Sequence, residues 1–199
     1  MNKKPQRLVV VVGGGPVGLS VAALLSSHSK LEKFDIHLLD SGSTPTWFRD
    51  SVDLRVYALS RVSQNILNNL GVWESIENCR SSPYERMHVW QGKHDARLGS
   101  VTFDSAEVGE PNLGHIVEDS LLRAELVKNL ERAGVKITFG AELSEIDVRE
   151  REAHVSLATG EKLSAAILIA ADGSSSTVRD LLEMPITKVS YQQQAIVTH

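Results

Sequence analysis

Leu8 to Val12 is an unbroken apolar run rich in β-branched residues, the pattern of a strand buried on both faces in a parallel sheet. It runs straight into Gly13-Gly-Gly-Pro-Val-Gly18. In the next stretch Val21, Ala22, Leu24 and Leu25 predict a short helix over Leu19–Ser27 that packs on the sheet. Phe34 to Leu39 alternates into a second strand that ends at Asp40, so residues 8–40 form one βαβ unit. A polar loop, Ser41 to Val52, follows. Ile66, Leu67 and Leu70 then predict a helix over Ser60–Leu70, stopped by Gly71.

Beyond that helix the texture changes. Glu85–Gln91, Gly99–Asp104 and Leu113–Val117 read as short antiparallel strands separated by glycine-bearing turns. Helical spacing returns after Asp119, read as an N-cap, with Leu122, Leu126, Val127 and Leu130 on one face before Gly134. Lys136–Phe139 is another strand. Leu143–Val148 and Ala153–Ala158 alternate as a meander that turns at Thr159-Gly160, and Ala165–Ala171 reads as a buried strand closed by Asp172-Gly173. Tyr191–His199 looks like a strand entered but not left, which predicts that these residues are the first portion of a longer enzyme. The fold class is α/β.

Composition narrows the function. With 199 residues, 42% hydrophobic and 23% charged, the chain has the make-up of a globular protein able to bury a core. A net charge of −4 with both signs interspersed offers no basic stripe, which argues against nucleic acid and for a small ligand. The single cysteine, Cys79, excludes an internal disulfide and a multi-cysteine metal site, and reads as a half-buried apolar residue. No metal-ligand cluster, HExxH or Ser-His-Asp order is present. The basic start, Met1 to Arg7, precedes an apolar run too short for a signal peptide or a membrane span.

Gly13, Gly15 and Gly18 form a Gly-x-Gly-x-x-Gly that leaves a buried strand and opens a helix, the context in which the motif binds a dinucleotide. Gly13 permits the tight turn, Gly15 lets backbone approach a pyrophosphate, and Gly18 lets helix and strand pack closely. The helix N-terminus supplies N–H groups and partial positive charge. Asp40 stands 22 residues past Gly18 at the end of the second strand, where an acid takes the ribose hydroxyls. This much fits NAD and FAD equally. The antiparallel strands between Glu85 and Val117 interrupt the βα alternation of a dehydrogenase and favour a flavoprotein with a second, sheet-based domain.

Three further segments carry a resemblance. Asp53-Leu-Arg-Val-Tyr-Ala-Leu-Ser60 with Gln64-Asn-Ile-Leu67 and Leu70-Gly-Val-Trp-Glu74, then Leu113-Gly-His-Ile-Val-Glu-Asp119, then Ala171-Asp-Gly-Ser-Ser-Ser-Thr-Val-Arg179, resemble the hydroxylases of ubiquinone biosynthesis. These belong to the aromatic-hydroxylase class of FAD monooxygenases. The similarity runs from Leu8 to about Thr198.

The resemblance implies a Rossmann-like core of the glutathione-reductase type over 1–80 and 118–184, with an incomplete antiparallel substrate sheet begun at 81–117 and 185–199. It implies FAD as cofactor and NAD(P)H as electron donor, with O2 and a polyprenylated phenol as substrates. Arg55 would lie against the flavin and its phosphate chain, Arg123 would reach the cofactor, and Asp172 with Gly173 would contact the pyrophosphate. His115, Tyr84, Trp90 and Phe103 lie on the segment that would face the substrate. The protein would be cytoplasmic, reaching a lipid-soluble substrate through peripheral membrane association or a partner complex. The family's second FAD motif, a Gly-Asp followed by small residues and a histidine, is not among these residues. The alternatives are a hydroxylase of a soluble aromatic, another FAD oxidoreductase, and a truncated nucleotide-binding product without turnover.

Overall fold

The computed structural model describes residues 7–28, 34–91, 99–196 and 198. The chain divides into two compact units, 1–47 with 123–199, and 48–122. Strand β1 (Arg7–Val12) and strand β2 (Phe34–Asp40) flank helix α1 (Pro16–Ser27), as the apolar pattern predicts. In the first unit they join β8 (Lys136–Phe139) and β12 (Ile167–Ala170) in a parallel sheet of order β12-β1-β2-β8. Its interior position explains the Val9–Val12 run, since side chains on both faces of β1 are buried. Each such side chain contributes about 1.5–3 kcal/mol on full burial.

One face of the sheet receives α1 through Gly18, Leu19, Ala22 and Ala23. The other is covered by a meander of β9 (Leu143–Val148), β10 (Ala153–Leu157) and β11 (Lys162–Ala165), together with a short helix, α5 (Thr177–Leu181). Val10, Val12 and Leu39 of the sheet share one core with Ile146, Val155, Leu157, Ala165 and Val178. The meander alternates as its sequence does, with Ala153, Val155 and Leu157 inward.

The second unit holds a three-stranded antiparallel sheet in which β7 (Gly114–Glu118) lies between β3 (Val56–Ser60) and β4 (Ser82–Tyr84). It also holds helices α2 (Arg61–Asn69) and α3 (Trp73–Cys79), and a two-stranded ribbon of β5 (Arg86–Trp90) and β6 (Ser100–Asp104). Ser60 caps α2 by accepting the Ser63 N–H. Helix α4 (Asp119–Arg132) runs across the division, with Leu122, Leu126, Val127 and Leu130 buried.

Three readings of the sequence change. The strand after Ala165 is the outer member of its sheet among the described residues, with Ile167 47% exposed, because β1 and not β12 takes the interior place. Asp119 is the first residue of α4 and not its cap: Asp53 accepts the Ser120 N–H at 3.0 Å, while Asp119 accepts the Tyr57 hydroxyl at 2.9 Å. Residues 191–196 and 198 form no strand, and the other residues of that expected strand, 197 and 199, lie outside those described. The compact units themselves divide after Trp47 and after Leu122, with β3, α2 and α3 in the second.

One buried group ties the sheet to pH. His37, on β2, is 2% exposed, and its Nε2 lies 2.8 Å from Thr138 Oγ1 on β8. Burial, with Lys136 adding repulsion, pushes its pKa down to about 4 from 6.5. The unfolded chain therefore binds more protons between those values, so this contribution is intact above pH 6.5 and is lost as pH falls toward 4. The expected outcome is a urea midpoint that falls across this window, and falls less in His37→Gln, as followed by circular dichroism at matched ionic strength.

Candidate functional site: a glycine cradle at the sheet's carboxyl edge

Gly13, Asp40 and Ala171 leave the carboxyl ends of β1, β2 and β12, where open α/β sheets bind their ligands. A cleft of about 530 Å³ opens there, lined by Gly13 and Gly15, by Asp40 and Ser41, and by residues 141–143, 171–173, 175 and 177. All of it lies within the first unit.

The glycines divide the labour. Gly13 has φ +115°, and a Cβ there would stand 2.3 Å from the Ala171 carbonyl oxygen. A Cβ on Gly18 would stand 1.9 Å from the Gly13 carbonyl oxygen, so this glycine sets how closely α1 approaches the loop. Gly15 is different: a Cβ would meet nothing within 4 Å, and the position faces the cleft. Its missing side chain leaves bare backbone open to a ligand. Gly15 is also the N-cap of α1, with no side-chain cap, a proline beginning the helix and no acid in its first turn. The amides and positive end of the helix are left for an anion.

Asp40 and Arg123 hold this loop from two sides. Asp40 accepts the Gly14 N–H at 2.6 Å on one carboxylate oxygen and the Gly42 N–H at 2.9 Å on the other. Each oxygen keeps a second lone pair for a hydroxyl. Arg123 Nε donates to the Gly14 carbonyl at 2.8 Å. Asp172 lines the cleft while locking its own turn: one oxygen accepts the Ser176 hydroxyl at 2.6 Å, the other the Val178 N–H at 3.0 Å. Gly173 has φ +82°, a conformation that glycine takes without strain. The donors and open backbone fit a dinucleotide's pyrophosphate and ribose.

Arg55 is on the loop before β3. It is exposed in the second unit, its N–H on Asp53 at 2.9 Å and its guanidinium 5.4 Å from the Tyr57 ring centroid. Burial alone would raise the Asp53 carboxyl, but the N–H groups of Arg55 and Ser120 outweigh it and hold the group below its ordinary value. His115 is buried edge-on to Trp73 at 4.9 Å, and burial lowers its pKa. Reasoning from sequence missed Ser41, Ala141, Glu142, Leu143, Ser175 and Thr177 as lining residues. Residues 141–143 arrive through the pairing of β8 with β2, which no local pattern announces. The run at 174–177 reads only as a capped turn.

A parallel sheet whose glycine turn opens a helix N-terminus, with an acid closing the next strand, defines a dinucleotide-binding protein of the α/β class. The family model for the FAD-binding domain matches residues 7–197, and the chain belongs to that family. FAD is therefore the dinucleotide that the family implies for this chain. The chain is 31% identical, over 99% of its length, to 3-demethoxyubiquinol 3-hydroxylase of Escherichia coli (strain K12), covering 49% of it. It is 30% identical over 95% of its length to the ubiquinone biosynthesis monooxygenase COQ6 of Danio rerio, covering 41% of that protein. The chain thus spans about half the length of the curated relatives it matches. Among solved structures, a variant of P. aeruginosa PqsL aligns over 93% of this chain and 48% of its own with TM-score 0.71 at 18% identity. A variant of 2-methyl-3-hydroxypyridine-5-carboxylic acid oxygenase aligns over 89% and 42%, with TM-score 0.67 at 25% identity.

The second and third glycines of the motif should fail differently. Gly15→Val is expected to keep the unfolding midpoint close to the parent's while removing most FAD affinity, because a Cβ at this position meets no protein atom within 4 Å and the position lines the cleft. Gly18→Ala is expected to lose about 1–3 kcal/mol of stability, since its methyl group meets backbone. Thermal unfolding and FAD titration by equilibrium dialysis separate the two. A Gly15→Val protein that binds FAD like the parent would remove the cradle from the cofactor site.

Proposed function

We propose that this chain is the cofactor-binding portion of an FAD- and NAD(P)H-dependent monooxygenase that hydroxylates a polyprenylated phenol ring in ubiquinone biosynthesis. The observation that carries this reading is the similarity over nearly the whole chain to two relatives named for ubiquinone chemistry. Bound FAD, reduced by NAD(P)H, supplies the electron transfer and oxygen activation; the protein supplies binding, orientation and exclusion of water. The Gly15 amide and the open first turn of α1 face the pyrophosphate, the Gly13 and Gly14 amides being held by Leu39 and Asp40, while Gly18 keeps α1 close and Asp40 takes the ribose hydroxyls with its second lone pairs. Arg123 holds the loop by its carbonyl. Asp172 and Gly173 shape the opposite wall, and Arg55 is kept as a further cofactor contact on the strength of the resemblance.

In the division of roles that goes with this reading, residues 1–80 and 118–184 hold the cofactor, and residues 81–117 and 185–199 begin the substrate sheet. Hydroxylation itself we assign to a polypeptide of the relatives' full extent. No described helix is long and apolar enough to cross a membrane, and peripheral association or a partner complex is the proposed route to a prenylated substrate. A soluble aromatic substrate is the second reading, favoured by the 25% identity to the hydroxypyridine-carboxylic acid oxygenase.

The test is product analysis of the full-length protein with NADH or NADPH, O2, and matched prenylated and unprenylated phenols. Hydroxylation of the prenylated phenol alone supports the first reading. Turnover of the unprenylated ring alone supports the second, and a folded protein that releases no flavin on denaturation overturns both. Within the site, Arg123→Lys is expected to weaken FAD by about 1.5–3 kcal/mol, since an ammonium on a flexible stem does not reproduce the Nε–H bond to Gly14. Flavin retention on gel filtration and Kd by fluorescence check this. Unchanged values would take Arg123 out of the site.

A further inference from the structure

The turn after β12 alternates in a way that its polar sequence conceals. Ser176 and Val178 point inward: Ser176 is 6% exposed, donates to Asp172 and accepts the Arg179 N–H at 3.0 Å, while Val178 is 3% exposed in the core. Ser175 and Thr177, the residues between and before them, are exposed and line the cleft that Gly13 and Gly15 also line. Among the described residues neither side-chain hydroxyl has a hydrogen-bond partner. The carboxylate of Asp172, by contrast, already accepts a hydrogen bond on each oxygen, and both bonds hold the turn itself. A second clamp acts on the same turn, Arg179 Nη2 donating to the Ser174 carbonyl at 3.0 Å. The result is a braced arch that offers two hydroxyl groups to the cleft.

A carboxylate can only accept hydrogen bonds, and it repels a phosphate. A hydroxyl donates to a phosphate oxygen in a short charge-assisted bond. The wall facing the glycine cradle thus has its donors at Ser175 and Thr177, and its anion turned to internal use. We propose that Ser175 and Thr177 are direct ligands of the cofactor's pyrophosphate, and that Asp172 acts on the cofactor by positioning them. This rests on the FAD reading above and adds residues to that site.

The experiment compares two double variants with the parent. Ser175→Ala with Thr177→Val removes both hydroxyls at nearly constant shape, whereas Ser175→Thr with Thr177→Ser keeps them. For each protein the Kd for FAD and for ADP is measured by equilibrium dialysis, alongside the thermal unfolding midpoint. The deletion pair is expected to weaken both ligands about tenfold or more with the midpoint unchanged, and the hydroxyl-keeping pair to stay near the parent. Deletion that leaves both affinities within about twofold overturns the proposal, since a lost charge-assisted bond exceeds that. So does a hydroxyl-keeping pair that loses as much as the deletion pair. Weakened FAD with unchanged ADP would move the contact to the riboflavin half and overturn the pyrophosphate assignment. A parent that binds neither FAD nor ADP overturns the cofactor reading as well, which separates the two failures.

Discussion

Helix α1 can rest against the end of β1 only because two side chains are missing where they meet. A single methyl group at Gly18 would stand 1.9 Å from the Gly13 carbonyl oxygen, and one at Gly13 would strike Ala171, just past the end of β12. Three elements therefore converge at one point with nothing but backbone between them. The position of the helix N-terminus, the direction in which its amides point and the width of the cleft follow from that convergence. Asp40 then fixes the loop laterally through Gly14 and Gly42, so the end of β2 is bound to the end of β1 by a side chain as well as by the sheet. A cofactor meets a surface whose polar groups are already in place, and little conformational entropy is left to lose on binding.

The two carboxylates at this edge show how structural and ligand-facing duties share a residue type. Asp40 gives each oxygen one N–H and keeps capacity toward the cleft. Asp172 spends its oxygens on Ser176 and Val178, which turns an acid beside an anion site into part of the scaffold. Both would read alike in a sequence.

What the sequence disclosed depended on the range of the interaction. The βαβ unit was legible because an apolar run, a glycine turn and a helical stripe are local and sit in one stretch of chain. The meander was legible for the same reason, its alternation surviving as the inward Ala153, Val155 and Leu157. The outer place of β12 was not, since its run is as apolar as that of β1 and only strand order separates them. Helix α3 has no side-chain cap and only seven residues, too few to set up a period, so Trp73 and Ile76 gave no warning of their burial. In the site, Gly13, Gly15, Gly18, Asp40 and Gly173 carry geometry that residue type announces. Residues 141–143 reach the cleft through a strand pairing some hundred residues distant in sequence, and Ser175 and Thr177 through an alternation hidden in a run of hydroxyls.

The outer strand of the parallel sheet has a bearing on how the molecule behaves in a crowded solution. β12 is short, carries no charge and exposes Ile167 along a side where, among the described residues, no further strand pairs with it. Edges of this kind template extended segments of other chains, and natural proteins usually blunt them with lysine, proline or a bulge. Ile-Leu-Ile-Ala offers none of these. Here the brevity of the strand is itself the blunting device, and its uncharged apolar make-up suits it to lie beside a further strand.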